Sequence, residues 1–160
     1  MFSRNFSMDD PQQGITWQDL GNGVPTIIAM AHLSSITLAQ RDLPAVNIDD
    51  LSDEAKTILV GAQKSGSMCI RGDKNAFEPA ERFLAVCVDL DEGRRIEFRC
   101  LQDQEQTVKF MDGLRQLCSA GLVMHQLMND FSLTASGFEL AKSLDSADFQ
   151  QWLEMGTESL

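Results

Sequence analysis

Basic side chains are scarce in this chain of 160 residues: 13 lysines and arginines stand against 24 aspartates and glutamates, giving a formal net charge of −11. Proteins that hold duplex DNA neutralise several phosphates with lysine and arginine, so this balance disfavours a phosphate backbone as the partner. The same repulsion disfavours anionic membrane surfaces and acidic ligands. The length suits one domain with extensions, and a hydrophobic content of 43% is sufficient for a buried core.

Metal-ligating and catalytic side chains are also few. The four cysteines include no Cys-x-x-Cys pair, and the two histidines, His32 and His125, lie far apart in sequence. A zinc site needs clustered sulfur and nitrogen ligands, so we expect reduced, mostly buried thiols and no bound metal. Neither histidine lies in a recognisable catalytic signature. The sequence therefore predicts a protein that is not an enzyme and uses no cofactor.

Long apolar runs are absent as well. The apolar stretch at residues 24–39 is too short to span a bilayer, and His32, Ser34 and Ser35 interrupt it. The first ten residues lack the apolar segment of a secretory signal. We therefore expect a cytoplasmic protein with no membrane partner, and no small-molecule ligand is inferred.

The chain begins with a weakly patterned segment and then an apolar one. Residues 1–23 are polar with little periodicity, and we interpret them as a flexible N-terminal segment. Residues 24–50 are interpreted as an apolar helix followed by a connector. One face of this helix is lined by Ile27, Met30 and Leu38. The β-branched residues leave a buried strand as the alternative for residues 26–31.

From residue 51 onward, helical and strand-like patterns alternate. Ser52 is a suitable N-cap for a helix with an apolar stripe, and a short strand is predicted over residues 67–72. The alternation of apolar and charged residues in 83–101 predicts a β-hairpin with Gly93 in its turn. The apolar stripe of the next helix is formed by Phe110, Met111, Leu114, Leu117 and Cys118.

Gly121 is expected to end that helix in the left-handed conformation. Two short paired strands follow, and Thr134 is a suitable cap for a further helix. Residues 146–160 are interpreted as a C-terminal docking helix that packs through Phe149, Trp152 and Leu153. The side chains predicted to be buried in one core are Leu59, Phe98, Leu114, Leu117, Leu133 and Phe138.

Three stretches, "LSDEAKTILVGAQKSG", "LRQLCSAGLV" and "FSLTASGFELAKSL", resemble the first helix, the end of the third helix and the second wing strand with closing helix of the winged-helix superfamily. The resemblance covers residues 51–145 and includes a winged-helix module found at the C-terminal ends of uncharacterised bacterial proteins. It implies an α+β fold. This chain would be a winged-helix-like domain with an extra β-hairpin and an N-terminal apolar helix. Residues 79–101 are mostly strand-like where the superfamily usually has its second helix.

Two functions follow from these patterns. The resemblance implies a DNA-binding transcriptional regulator, whose contacts would be made by Lys109, Arg115, Gln116 and His125. The acidic charge argues against it, since Glu105 and Asp112 offset the basic residues of the third helix. The preferred interpretation is a protein-interaction module that forms a homodimer. Its candidate interface residues are Ile27, Met30, Leu38, Met124, Met128 and Trp152.

Overall fold

The computed structural model describes residues 15–40, 42–91 and 93–159. Its helices are α1 (Trp17–Gly21), α2 (Val24–Leu38), α3 (Asp53–Gly61), α4 (Pro79–Arg82), α5 (Gln104–Ser119), α6 (Ala135–Ser143) and α7 (Gln150–Leu153). Its strands are β1 (Ser67–Arg71), β2 (Ala85–Asp89), β3 (Arg95–Glu97), β4 (Val123–His125), β5 (Asp130–Leu133) and β6 (Thr157–Ser159). Short 3-10 turns occur at Ile48–Asp50 and Ser146–Phe149.

The six strands form one antiparallel sheet in the order β4-β5-β1-β2-β3-β6. Side chains alternate across it, so that Met68, Ile70 and Val88 join the same buried cluster as α3 and α5. The α+β class expected from the sequence is therefore confirmed. None of the helices in the described ranges is long and apolar enough to cross a membrane.

Local signals in the sequence fix several element ends. The Ser52 side chain accepts a hydrogen bond from the backbone N–H of Ala55 at 3.2 Å, and the Thr134 side chain accepts one from Gly137 at 3.1 Å. Gly121 ends α5 with a φ of 73°, the left-handed conformation expected of it. The hairpin of β2 and β3 and the ribbon of β4 and β5 also form as predicted.

The predicted core is confirmed at five of its six positions. Four of these side chains are fully buried, and Leu133 is only 3% exposed. The four are Leu59, Phe98, Leu114 and Leu117. The Phe98 ring stacks on Phe110 with centroids 4.3 Å apart. The prediction was wrong for Phe138, which is half-buried because it lies over Gly66 at the margin of the core. Ala141 is the residue by which α6 enters the cluster.

Both ends of the described chain differ from the sequence prediction. Most of segment 1–23 lies outside the described residues, but Thr16 and Asp19 form a reciprocal capping box that starts α1. At the other end, the docking helix is only a short turn of helix. Phe149 is buried as expected, and the chain then continues into β6, which pairs with β3. A five-residue helix and a three-residue strand contain too few residues for periodicity to reveal them.

Candidate functional site

Helix α2 carries no charged side chain along its whole length, VPTIIAMAHLSSITL. Gly23 precedes it with a φ of 68°, and Pro25 lies in its first turn, so the local sequence fixes where the helix begins. Residues 26–31 are therefore helical, and the strand alternative is wrong. Because apolar residues occur on every side of α2, the sequence alone does not identify the buried face.

The buried side of α2 faces α5 and β4. Met30, Ser34 and Thr37 are each less than a tenth exposed. The Ser34 hydroxyl donates to the carbonyl of Ala31 at 2.9 Å and accepts from the backbone N–H of His125 at 3.3 Å. This polar contact ties α2 to β4 and fixes which face of the helix is left outside.

The opposite side of α2 is apolar and exposed. Ile28 is 54% exposed and Ile36 is 48% exposed, two turns further along the same face. The Ser35 hydroxyl donates to the carbonyl of Ala31 at 2.9 Å, so it does not need an external partner. The outer face of α2, as we name it, consists of Ile28, His32, Ser35 and Ile36, together with Ala39 at the C-cap of the helix. His32 is the one titratable group on it.

Further apolar surface lies on the neighbouring helix α1. Helix α1 packs against α2 and leaves Trp17 88% exposed and Leu20 48% exposed. Single exposed apolar side chains are normal, whereas contiguous patches mark interaction sites. Exposed apolar side chains therefore occur both on α1 and on the outer face of α2, in the N-terminal region of the described chain.

The interface stripe predicted from the sequence is rotated away from this region. Met30 is buried in the protein's own core, so its assignment to an interface was wrong. Ile27 is half-buried and packs against the same core, whereas Leu38, in the last turn, is 42% exposed. The prediction failed because an apolar helix without charges offers two equally plausible phases.

The other interface candidates lie in two separate places. Met124 is half-buried on β4, but Met128 is 85% exposed and Leu127 76% exposed in the turn before β5. Met128 adopts a φ of 54°, a left-handed conformation that turns the chain sharply at this tip. Trp152 is half-buried and packs against the core cluster. These residues do not join the outer face of α2 into one surface.

The basic candidates for DNA contact are already paired within the protein. Lys109 makes an ion pair with Glu105 at 2.9 Å, and Arg115 makes one with Asp112 at 2.8 Å. The hydrogen bond to Glu105 raises the pKa of Lys109, and the hydrogen bond from Arg115 lowers the pKa of Asp112. Each positive charge on this face of α5 therefore has a neighbouring negative charge, which reduces its attraction for phosphate.

The two uncharged candidates are engaged as well. Gln116 accepts from the backbone N–H of Ser52 at 3.0 Å and donates to Asp112 at 3.0 Å, so it links α5 to the cap of α3. The His125 ring lies 2.7 Å from the carbonyl of Met128 through Nε2, which donates in that contact. Both side chains serve the fold of this surface rather than project freely from it.

A surface cleft of about 490 Å³ lies between α3, α7 and the turn that joins β2 to β3. Four of its five charged side chains bind one another: Asp91 contacts Lys64 at 2.9 Å and Arg94 at 2.6 Å, and Arg94 reaches Glu158 at 3.0 Å. The fifth, Glu154, accepts a hydrogen bond from Gln150 at 3.4 Å. The hydrogen bond from Arg94 lowers the pKa of Asp91. Among the described residues, no three His, Cys, Asp or Glu side chains converge as metal ligands. The cleft thus offers paired charges rather than an arrangement poised for proton transfer.

No family model, curated protein or solved structure matches this chain. A candidate function is therefore inferred from the exposed side chains of this protein alone. The sequence did contain a signal for helix α2 as a whole, although not for its outer face: fifteen residues without a charge in a chain that is 23% charged.

Proposed function

We propose that this protein is a non-enzymatic interaction module that forms a homodimer through the outer face of α2. The observation that carries the proposal is the exposure of Ile28 and Ile36 on a helix without charges. An apolar helix face is stable in water when another protein covers it. We include a cytoplasmic location in the proposal, and the free state of all four thiols agrees with it.

A second copy of the chain is the occupant that the charge distribution favours. Two molecules of net charge −11 repel each other over most of their surfaces. Contact through a face without charged side chains buries no like-charged pair, so this is where two copies can approach. In a two-fold dimer with antiparallel helices, Ile28 of one copy meets Ile36 of the other, with His32 near the axis. The small side chains of Ser35 and Ala39 allow close approach.

We further propose that residues 51–145 form a winged-helix-like framework that holds α2 in place. The order α3, β1, α5, β4, β5, α6 and the neighbouring strands β1, β5 and β4 support it. Helix α5 packs against α3, as a third helix packs on a first. The hairpin of β2 and β3 occupies the place of the second helix, where α4 is only four residues long.

Light scattering on the double variant Ile28→Glu/Ile36→Glu tests the interface. We expect the unmodified protein to be a dimer at micromolar concentrations. The double variant should be a monomer, with dimer affinity at least ~100-fold weaker, because four carboxylates would be buried against apolar surface. The matched control is Val108→Glu on α5, whose side chain is 54% exposed, like that of Ile28. Circular dichroism should show native helix content in all three proteins.

One outcome contradicts the dimer, and another contradicts its interface on α2. One is an unmodified protein that scatters as a monomer at tens of micromolar. The other is a dimer that the double variant retains, or that Val108→Glu disrupts equally. A dimer that loses affinity only in Met128→Glu would move the interface to the turn between β4 and β5.

DNA binding is the competing function, and a gel-shift titration with random duplex distinguishes it. Because Lys109 and Arg115 are already neutralised by acidic neighbours, we expect only weak, salt-sensitive binding. An affinity of ~10⁻⁸ M or tighter at physiological salt would contradict this expectation. If that affinity were also lost in Lys109→Glu and Arg115→Glu, the regulator interpretation would replace the interaction module.

A further inference from the structure

Two of the four cysteines lie directly opposite each other in the middle of the sheet. Cys69 of β1 is the register partner of Cys87 in the neighbouring antiparallel strand β2. Seventeen residues, which include the loop after β1 and the short helix α4, lie between Cys69 and Cys87 in sequence, so no short cysteine motif marks the pair. The other two cysteines, Cys100 and Cys118, have no such register partner among the described strands.

The backbone geometry of this pair brings the two sulfurs within reach of each other. The N–H of Ile70 donates to Asn129 beside β5, and the N–H of Phe98 donates to Val86. Because backbone groups alternate in direction along a strand, those of Cys69 and Cys87 point at each other. The Cα atoms of such a hydrogen-bonded pair lie ~5.5 Å apart. Disulfides span Cα distances of ~4.4–6.8 Å, but they also need Cβ atoms only ~3.5–4.5 Å apart. The Cβ atoms of a directly opposite hydrogen-bonded pair lie ~5.5 Å apart. The two strands must therefore be drawn together as the bond forms, which makes a disulfide at this place strained and readily reduced.

The pair belongs to the face of the sheet that does not contribute to the main core. Met68 and Ile70 point into that core, so Cys69 between them points the other way, as Cys87 does between Val86 and Val88. This second face is polar, with side chains that include Arg71, Asp89, Arg95, Glu97, Asp130 and Ser132. Cys69 is 6% exposed and Cys87 is 1% exposed. Cys69 is therefore the more exposed residue of the pair.

The surroundings also assign different roles to the two sulfurs. A hydrogen bond from the Cys87 thiol lowers the pKa of Cys69, although burial acts in the opposite direction. The positive charges of Arg95 and Arg71 lower this pKa further. The same hydrogen bond, together with burial, raises the pKa of Cys87. Thiolates are the nucleophilic form of cysteine. Cys69 is thus suited to attack, and Cys87 to resolve the product.

We propose that Cys69 and Cys87 are a redox modification site that hydrogen peroxide converts into a reversible intramolecular disulfide. The Cys69 thiolate attacks one peroxide oxygen, the O–O bond breaks, and the departing hydroxide takes up a proton to become water. The Cys87 sulfur then attacks the Cys69 sulfenic acid, and its oxygen leaves as a second water with the Cys87 proton. Two electrons pass from the sulfurs to the peroxide. A reducing dithiol restores both thiols by exchange.

Thiol counting on the full chain tests the proposal. After peroxide treatment and denaturation, we expect free thiols to fall from four to two per chain, with an intact mass lower by two hydrogen atoms. A non-reduced digest should join the peptides that contain Cys69 and Cys87. Dithiothreitol should return the count to four. Four remaining thiols, or a cross-link between chains, would overturn the proposal.

Serine variants separate the two roles. The Cys69→Ser variant should not form an intramolecular disulfide under the same treatment, so its thiol count should not fall by two. In the Cys87→Ser variant, oxidation should stop at a Cys69 sulfenic acid, which dimedone labels. Cys100→Ser is the matched control, because Cys100 is partly exposed but has no cysteine opposite it in the described sheet, and this variant should still form the disulfide. Thiol loss that persists in Cys69→Ser, or that disappears in Cys100→Ser, would assign the chemistry to other cysteines and refute the pair.

Discussion

Leu114→Ala is expected to lower the free energy of unfolding by ~2–5 kcal/mol, because it removes a fully buried side chain and leaves a cavity. Leu114 lies on α5 in the cluster that contains the stacked rings of Phe98 and Phe110. The rings are held between helix and sheet and cannot collapse readily into the space. For a domain of this size, the loss corresponds to a decrease of ~5–20 °C in Tm, which a thermal scan by circular dichroism measures.

Val108→Ala is the control for this truncation. Val108 lies on the same helix, but its side chain is 54% exposed. Its replacement by alanine should change the free energy of unfolding by less than ~0.5 kcal/mol, as surface substitutions usually do. Equal shifts in Tm for the two variants would contradict the assignment of Leu114 to the core.

Gly137→Ala should also destabilise the protein, by ~1–3 kcal/mol or more, because there is no space for a methyl group. A Cβ atom at Gly137 would lie 2.1 Å from the carbonyl oxygen of Leu122, which already accepts a hydrogen bond from Thr134. The oxygen and the carbon of this carbonyl both obstruct the added methyl group, and both belong to the backbone. The start of α6 would therefore have to move away from the residue before β4. Urea unfolding with and without the substitution measures the change.

Ser136→Ala is the matched control for that experiment. Ser136 is the preceding residue of α6, and its side chain is exposed. The same alanine placed there should leave stability unchanged within ~0.5 kcal/mol. If Gly137→Ala were equally neutral, α6 would not approach the Leu122 backbone as closely as the structure shows.

Helix caps and strand alternation were predictable because both depend on neighbours in sequence. Ser52 and Thr134 cap the helices that follow them, and Gly121 ends α5, each through contacts within a few residues. The hairpin of β2 and β3 follows from alternation around Gly93. The core side chains of α5 follow from its strong contrast between an apolar and a charged side.

The candidate site was predicted less well, for a reason that α2 makes clear. Its sequence marks an apolar helix, but burial of Met30 and exposure of Ile28 depend on how the helix lies against α5 and β4. The hydrogen bond between Ser34 and the backbone of His125 joins residues far apart in sequence. Periodicity has no access to such a contact, so the predicted stripe included Met30, which lies in the core, and omitted Ile28 and Ile36.

The sequence by itself determined the acidic charge, the main helices and strands, and most of the buried side chains, since each depends on composition or on residues close in the chain. Only the tertiary structure decided which side of α2 is exposed and that β6 joins the sheet. It also showed that Lys109 and Arg115 each form an ion pair with an acidic residue of α5. The opposition of Cys69 and Cys87 also required the register of two strands. Register is set by the packing of the whole sheet on its core, which brings together residues that no local pattern connects.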